Sequence, residues 1–247
     1  MMRNLLIICI LAVFIFSSVN ASFLEKPKWK EGDYWKYEMG TIRNGNKGNI
    51  STTIMGRENI TINNITYHCI VSKSVFSGKI RINYIDEKSL ATVKEIIYNN
   101  ETKEKIYNTP SSFIQYPIFI GKKWETTTDW KNTTATIFLE CIGKKDITTK
   151  AGRFSCYVIK ANYPFNGTVN PYFYQLIYVS GRVGNIVRME YYGNMEGNET
   201  LVGYIELVSF YYTVGIEQHG YPVIYVIIVT IGGAIIISLL ALYRYKQ

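Results

Sequence analysis

TATIFLECI, residues 134–142, decides the fold class. Its apolar residues Ala135, Ile137, Leu139 and Cys141 fall at every second position. Successive side chains of a strand point to opposite faces, so this period makes one face apolar. A helix would place them three and four apart. The following GKKDITTKAGR, residues 143–153, is basic and rich in turn formers, and CYVIK, residues 156–160, reads as the next strand. Gly143 to Asp146 is the expected turn between them.

The same pattern extends in both directions. Strand-like runs occupy Asp33–Met39, Ile50–Arg57, Thr66–Phe76, Lys79–Ile85, Ala91–Tyr98 and Lys103–Tyr107. Six more follow at Trp124–Thr128, Thr134–Ile142, Cys156–Tyr163, Tyr172–Val179, Ile186–Tyr192 and Leu201–Tyr212. Asn44-Gly45-Asn46, Asn166-Gly167 and Asn194 to Asn198 supply turn residues that tolerate positive φ. Across residues 22–212 no segment has a helical period of useful length. The expectation is an all-β domain, an antiparallel meander curled into a barrel or half-barrel so that one face is buried. Pro110 to Pro117 (PSSFIQYP) breaks the pattern as a crossing loop. Gly32-Asp33-Tyr34-Trp35 and Gly121-Lys122-Lys123-Trp124 echo one another and suggest the starts of two half-sheets.

Two apolar runs flank this domain. YPVIYVIIVTIGGAIIISLLALY, residues 221–243, carries no charged residue. As a helix it would cover about 34 Å, enough to cross a hydrocarbon core of about 30 Å. Leu5 to Phe16 is shorter, follows Arg3 and ends near Val19-Asn20-Ala21, the layout of a cleavable leader. The expected organisation is a signal peptide (1–21), an extracellular β domain (22–212), a juxtamembrane linker (213–220), a transmembrane helix (221–243) and a tail (244–247). Arg244 and Lys246 place the tail in the cytoplasm and the domain outside the cell membrane, as a single-pass protein. Retention of the leader would instead give two spans.

An outside domain accords with the seven Asn-x-Ser/Thr sequons that lie within residues 22–212, at Asn49, Asn59, Asn64, Asn100, Asn132, Asn166 and Asn198. Three cysteines remain after the leader. Cys141 and Cys156, on neighbouring strands, are the candidate disulfide, with Cys69 as a competing partner and three buried free thiols as the alternative.

The chain is 47% hydrophobic and 15% aromatic, with 21 tyrosines, which describes a packed domain rather than a disordered stalk. Its formal charge of +8 is spread along the chain, and with export it argues against nucleic acid as a partner. Lipid headgroups or acidic envelope polymers suit such charge better. Chemistry-bearing patterns are missing: there is no H-E-x-x-H, G-x-S-x-G or phosphate-cradling glycine loop. His68 and Cys69 are neighbours on one strand and would point to opposite faces. Asp33, Asp86, Asp129 and Asp146 could pair as hydrolase carboxylates only if the fold set two across a cleft. The reading is a non-enzyme with no cofactor and no metal. Trp29, Trp35, Trp124 and Trp130 either pack the core or line a ligand groove.

Trp29-Lys30-Glu31-Gly32-Asp33-Tyr34-Trp35-Lys36-Tyr37 resembles the W-x-x-G-D-x-W-x-Y opening of an uncharacterised archaeal cell-surface protein family. Tyr116-Pro117 to Trp124, Ala151 to Tyr157 and Tyr178 to Gly184 follow in the same order. The resemblance implies a lipocalin-like or lipoprotein-carrier-like curved β-sheet and carries no catalytic residue. Two functions fit. One is a membrane-anchored surface protein that binds an apolar ligand, a lipid or a glycan in the curved sheet. The other is a structural component of the envelope that binds other envelope proteins. An open, apolar-lined interior favours the first, and an interior packed by its own side chains favours the second. An envelope hydrolase is a third, weaker fit.

Overall fold

The computed structural model describes residues 23–42, 45–107, 110–130, 133–163, 172–195 and 198–213. The expected leader, the linker beyond Thr213, the 221–243 run and the tail lie outside the described residues. Among the described residues no helix is long and apolar enough to cross a membrane.

Twelve strands form one sheet: β1 Tyr34–Thr41, β2 Lys47–Ile62, β3 Ile65–Phe76, β4 Lys79–Asp86, β5 Thr92–Tyr98, β6 Thr102–Ile106, β7 Lys123–Trp130, β8 Thr133–Thr149, β9 Gly152–Asn162, β10 Tyr172–Ser180, β11 Asn185–Met195 and β12 Asn198–Tyr211. The order is β6-β5-β4-β3-β2-β1-β12-β11-β10-β9-β8-β7. Every pairing is antiparallel. The sheet is thus two six-stranded meanders, β1–β6 and β7–β12, joined at the β1–β12 seam. Tight hairpins build the halves. Asn63 and Asn64, with φ of 51° and 63°, turn β2 into β3, and Ser77 and Gly78, at 47° and 76°, turn β3 into β4. Positive φ at both central residues matches the twist of the flanking strands.

The sheet is open, so of the expected barrel or half-barrel the closed barrel is not formed. A barrel would pair β6 with β7, but these are the two edges. The chain between them includes Pro110 and Pro117, which have no N–H to offer a ladder. The sheet nonetheless curls. Lys150, in the β8–β9 turn, reaches Glu38 on β1 at 2.8 Å, although β12, β11 and β10 lie between β1 and β9. Phe154 of β9 meets Phe210 of β12 edge-on, with ring centroids 5.7 Å apart.

The expected turn at Gly143 to Asp146 is part of β8. The register slips between Cys141 and Gly143, so Cys141 faces Ile159 and Gly143 faces Val158. The extra residue of this bulge is absorbed without ending the strand, and the chain reverses at Lys150-Ala151.

Strand β9 is buried on both faces, as its run of buried residues requires. Phe154, Cys156 and Val158 join one core with Trp35, Ile54 and Leu207. Tyr157, Ile159 and Ala161, the alternate residues, join a second with Leu139 and Ile177. The crossing segment supplies Phe113, Ile114, Tyr116 and Ile118 to that second core, and Leu24 bridges to Ile118 beside it.

Candidate functional site

One end of the sheet gathers four separate pieces of chain. They are the segment before β1, the β4–β5 turn, the crossing segment and the end of β12. Gly32, at φ 87°, lets the chain turn sharply into β1. The fully buried Asp33 carboxylate accepts from Lys30 N–H at 2.8 Å, and its other oxygen accepts from Thr213 N–H at 3.0 Å and the Thr213 hydroxyl at 2.7 Å. Lys28 N–H donates to the Tyr212 hydroxyl at 3.2 Å. The Lys26 ammonium donates to the carbonyls of Glu87 (2.7 Å) and Lys88 (3.1 Å), fastening the β4–β5 turn. Within that turn Asp86 accepts from Ser89 N–H and hydroxyl at 2.9 and 2.6 Å. The Lys122 ammonium, its pKa lowered by burial, donates to the carbonyls of Gln115 and Pro117 and fixes the crossing segment.

The first three of these pieces line an open cleft of about 800 Å³, with Phe23, Lys26, Lys28, Lys88, Ser111 and Ser112 among its lining. The lining carries three lysines against one carboxylate, Glu25. Lys28 and Lys88 are exposed, and among the described residues neither ammonium meets a carboxylate. The Leu24–Ile118 bridge sets Phe119 across from Phe23, which lines the cleft, and Ile120 follows Phe119 in the chain. Phe23, Phe119 and Ile120 are 53%, 46% and 57% exposed. Phe23 therefore sets an exposed apolar group among the lysines of the opening.

Among the described side chains, Trp29, Trp35 and Trp124 do not form one groove. Trp29 and Trp35 stand edge-on at 5.9 Å in the first core and donate to the carbonyls of Gly184 and Val183, each at 2.8 Å. Trp124 lies in the second core and donates to the Phe113 carbonyl at 3.2 Å. Trp130 ends β7, and its side chain lies outside the described residues. The indoles of Trp29, Trp35 and Trp124 fasten loops to the sheet.

The expected Cys141–Cys156 disulfide is not formed. Cys69, Cys141 and Cys156 are free and buried. Across the β8–β9 ladder Cys141 faces Ile159 while Cys156 faces Lys145, and the two thiols belong to different cores. Burial pushes the Cys69 thiol up to about 11 and the Cys156 thiol up to about 12. His68 is exposed, 2.7 Å from the Asn59 amide oxygen, while Cys69 is buried, so the pair does point to opposite faces. Among the described residues no group of three His, Cys, Asp or Glu could hold a metal. The sequon asparagines at 49, 59, 64, 100 and 198 are all exposed. Asn132 and Asn166 lie outside the described residues.

Sequence reading missed the cleft. Its lysines come from residues 26–28 and from Lys88, far apart in a chain with 27 Lys and Arg, and only the fold brings them together.

No family model matches the chain, and no curated protein does, so the archaeal family is not shown. Among solved structures, the chain is similar to a candidate lipoprotein of Parabacteroides distasonis at 16% identity and a TM-score of 0.40, covering 77% of this chain and 100% of that one. It is also similar to a candidate exported protein with a YmcC-like fold from Bacteroides fragilis, at 14% identity and a TM-score of 0.38, with 77% and 100% covered. A DUF1329 family protein from Desulfovibrio piger matches at 12% identity and a TM-score of 0.29, with 75% and 88% covered. At these scores nothing about activity passes from them to this chain.

Proposed function

We propose that this chain is a non-catalytic, membrane-anchored envelope protein that works through its outer surface rather than by carrying a ligand inside the sheet. The supporting observation is the packed interior. Trp35, Ile177, Val187 and Leu207 are fully buried, and the crossing segment lies in the second core, in the space a carrier would keep free. The charge-free run 221–243 serves as the anchor, with the domain outside and Lys246 inside. The test is labelling of intact cells with a membrane-impermeant amine reagent, followed by mapping of modified lysines. Lys28, Lys88 and Lys103 are expected to label in intact cells, and Lys246 only after permeabilisation. Labelling of Lys246 in intact cells would overturn the topology.

A second reading has one observation in its favour. A groove of about 300 Å³ has Met39, Ile50, Phe76 and Ile97 on its apolar lining and Lys79 and Arg81 beside them. An apolar ligand with an acidic end would suit it, and stoichiometric recovery of such a molecule from the purified protein would favour this reading over the first.

A further inference from the structure

We propose that the lysine cleft docks on anionic lipid headgroups of the membrane that carries the chain. The inference rests on the anchor reading above and adds a lipid class and a binding surface to it.

Three observations converge. The first is position. Lys28 N–H is bonded to Tyr212, one residue before Thr213, which is itself clasped to Asp33. The charge-free run begins at Tyr221. Eight residues reach at most about 29 Å, so the cleft is tethered close to the surface that the anchor enters. The second is charge. Lys26 uses its ammonium on two carbonyls, and Lys28 and Lys88 stand exposed around the same opening. A lysine near an anionic bilayer contributes favourably within about a Debye length, a distance that this tether permits. The third is the apolar rim. Phe23 lines the cationic opening and is exposed, and the Leu24–Ile118 bridge sets the exposed Phe119 across from it. Aromatic and aliphatic side chains next to lysines are the pairing that enters the headgroup–acyl boundary. A free anion would need the lysines and serines alone and would leave this rim unexplained.

The test uses the full chain in nanodiscs and reads the rate of amine modification at each lysine by mass spectrometry. Lys79 and Lys103 are internal controls, since Lys79 opens β4 whereas Lys88 follows its other end. One set of discs is phosphatidylcholine, a second adds phosphatidylglycerol, and a third is phosphatidylcholine with inorganic phosphate in solution. Lys28 and Lys88 are expected to react roughly threefold or more slowly in the second set only, with the controls unchanged. The variant Lys88→Ala should still insert, and Lys28 in it should lose part of its phosphatidylglycerol-dependent protection. Phe23→Ser should weaken protection of Lys28 and Lys88. Equal rates in the first two sets would overturn the docking, as would equal protection by inorganic phosphate, which would mark a site for the free anion. Recovery of the chain outside the discs would overturn the anchor reading and the docking with it. Recovery in the discs without protection would overturn the docking alone.

Discussion

Thr213 donates two hydrogen bonds, from its backbone N–H and its hydroxyl, to one oxygen of the Asp33 carboxylate, 180 residues earlier in the chain. The bond pair closes the β1–β12 seam at the end where both termini of the domain leave the sheet. Asp33 is fully buried, so loss of the carboxylate strands three donors at once. Asp33→Ala is predicted to cost about 2–4 kcal/mol, and Thr213→Val, which keeps the backbone bond, about 1 kcal/mol. Urea unfolding followed by tryptophan fluorescence checks both. Equal costs for the two variants would show that the carboxylate has no special place in the seam.

Gly184 tests how tightly this end is packed. It sits at φ 65°, and a Cβ there would lie 2.5 Å from the Tyr212 ring. Gly32 has φ 87° but open space around the same position. Gly184→Ala combines backbone strain with displacement of Tyr212 and is predicted to cost more than about 2 kcal/mol. Gly32→Ala carries strain alone and should cost about 1 kcal/mol. Thermal unfolding of the two variants should rank them in that order.

The thiols give a chemical check. Cys69, Cys141 and Cys156 are buried, and burial raises all three pKa values. Maleimide at neutral pH is predicted to add to none of them in the folded protein and to all three in urea without reductant. Intact mass reads the result. A domain that takes only one label when unfolded would contain a disulfide and contradict the β8–β9 register.

Alkaline stability follows from the buried phenols. Tyr37, Tyr116 and Tyr163 hold their protons well above the ordinary tyrosine value, chiefly because burial disfavours the phenolate. The sign is fixed by proton binding. Below the ordinary value of about 10, both folded and unfolded chains are protonated and the contribution is intact. Above it the unfolded chain releases protons that the folded chain keeps, so stability falls as pH rises, by up to about 1.4 kcal/mol per pH unit for each such tyrosine. Absorbance at 295 nm should show exposed tyrosines ionising first and the buried group only with unfolding. A single smooth titration without unfolding would contradict this burial.

The strands were legible in the sequence because their signal is local. The alternation at Ala135, Ile137, Leu139 and Cys141 needs only the residue before and after, and all twelve expected runs coincide with strands. The pairing was not legible. An unbroken meander and two half-sheets joined at β1–β12 have the same runs and turns, and the difference lies in contacts between Trp35 and Phe210 or Lys36 and Ser209. One trace did survive. Gly32 and Gly121, from the two Gly-to-Trp echoes, share φ of 87° and each precedes the first strand of a half-sheet. The turn misplaced at Gly143 reflects a property of glycine. The residue that ends a strand can also serve a bulge within one. The cleft was illegible for a further reason. Lys28 and Lys88 acquire meaning only after Lys26 fastens the β4–β5 turn to the N-terminal segment.

The proposed surface role requires that the sheet be filled by its own chain and hold no cargo. Native mass spectrometry of the full chain released from detergent, followed by solvent extraction and lipid analysis, tests it most directly. The expected mass is that of the polypeptide and any attached glycans, with no apolar molecule held one to one. A single lipid or isoprenoid species retained at one per chain through detergent exchange would contradict it.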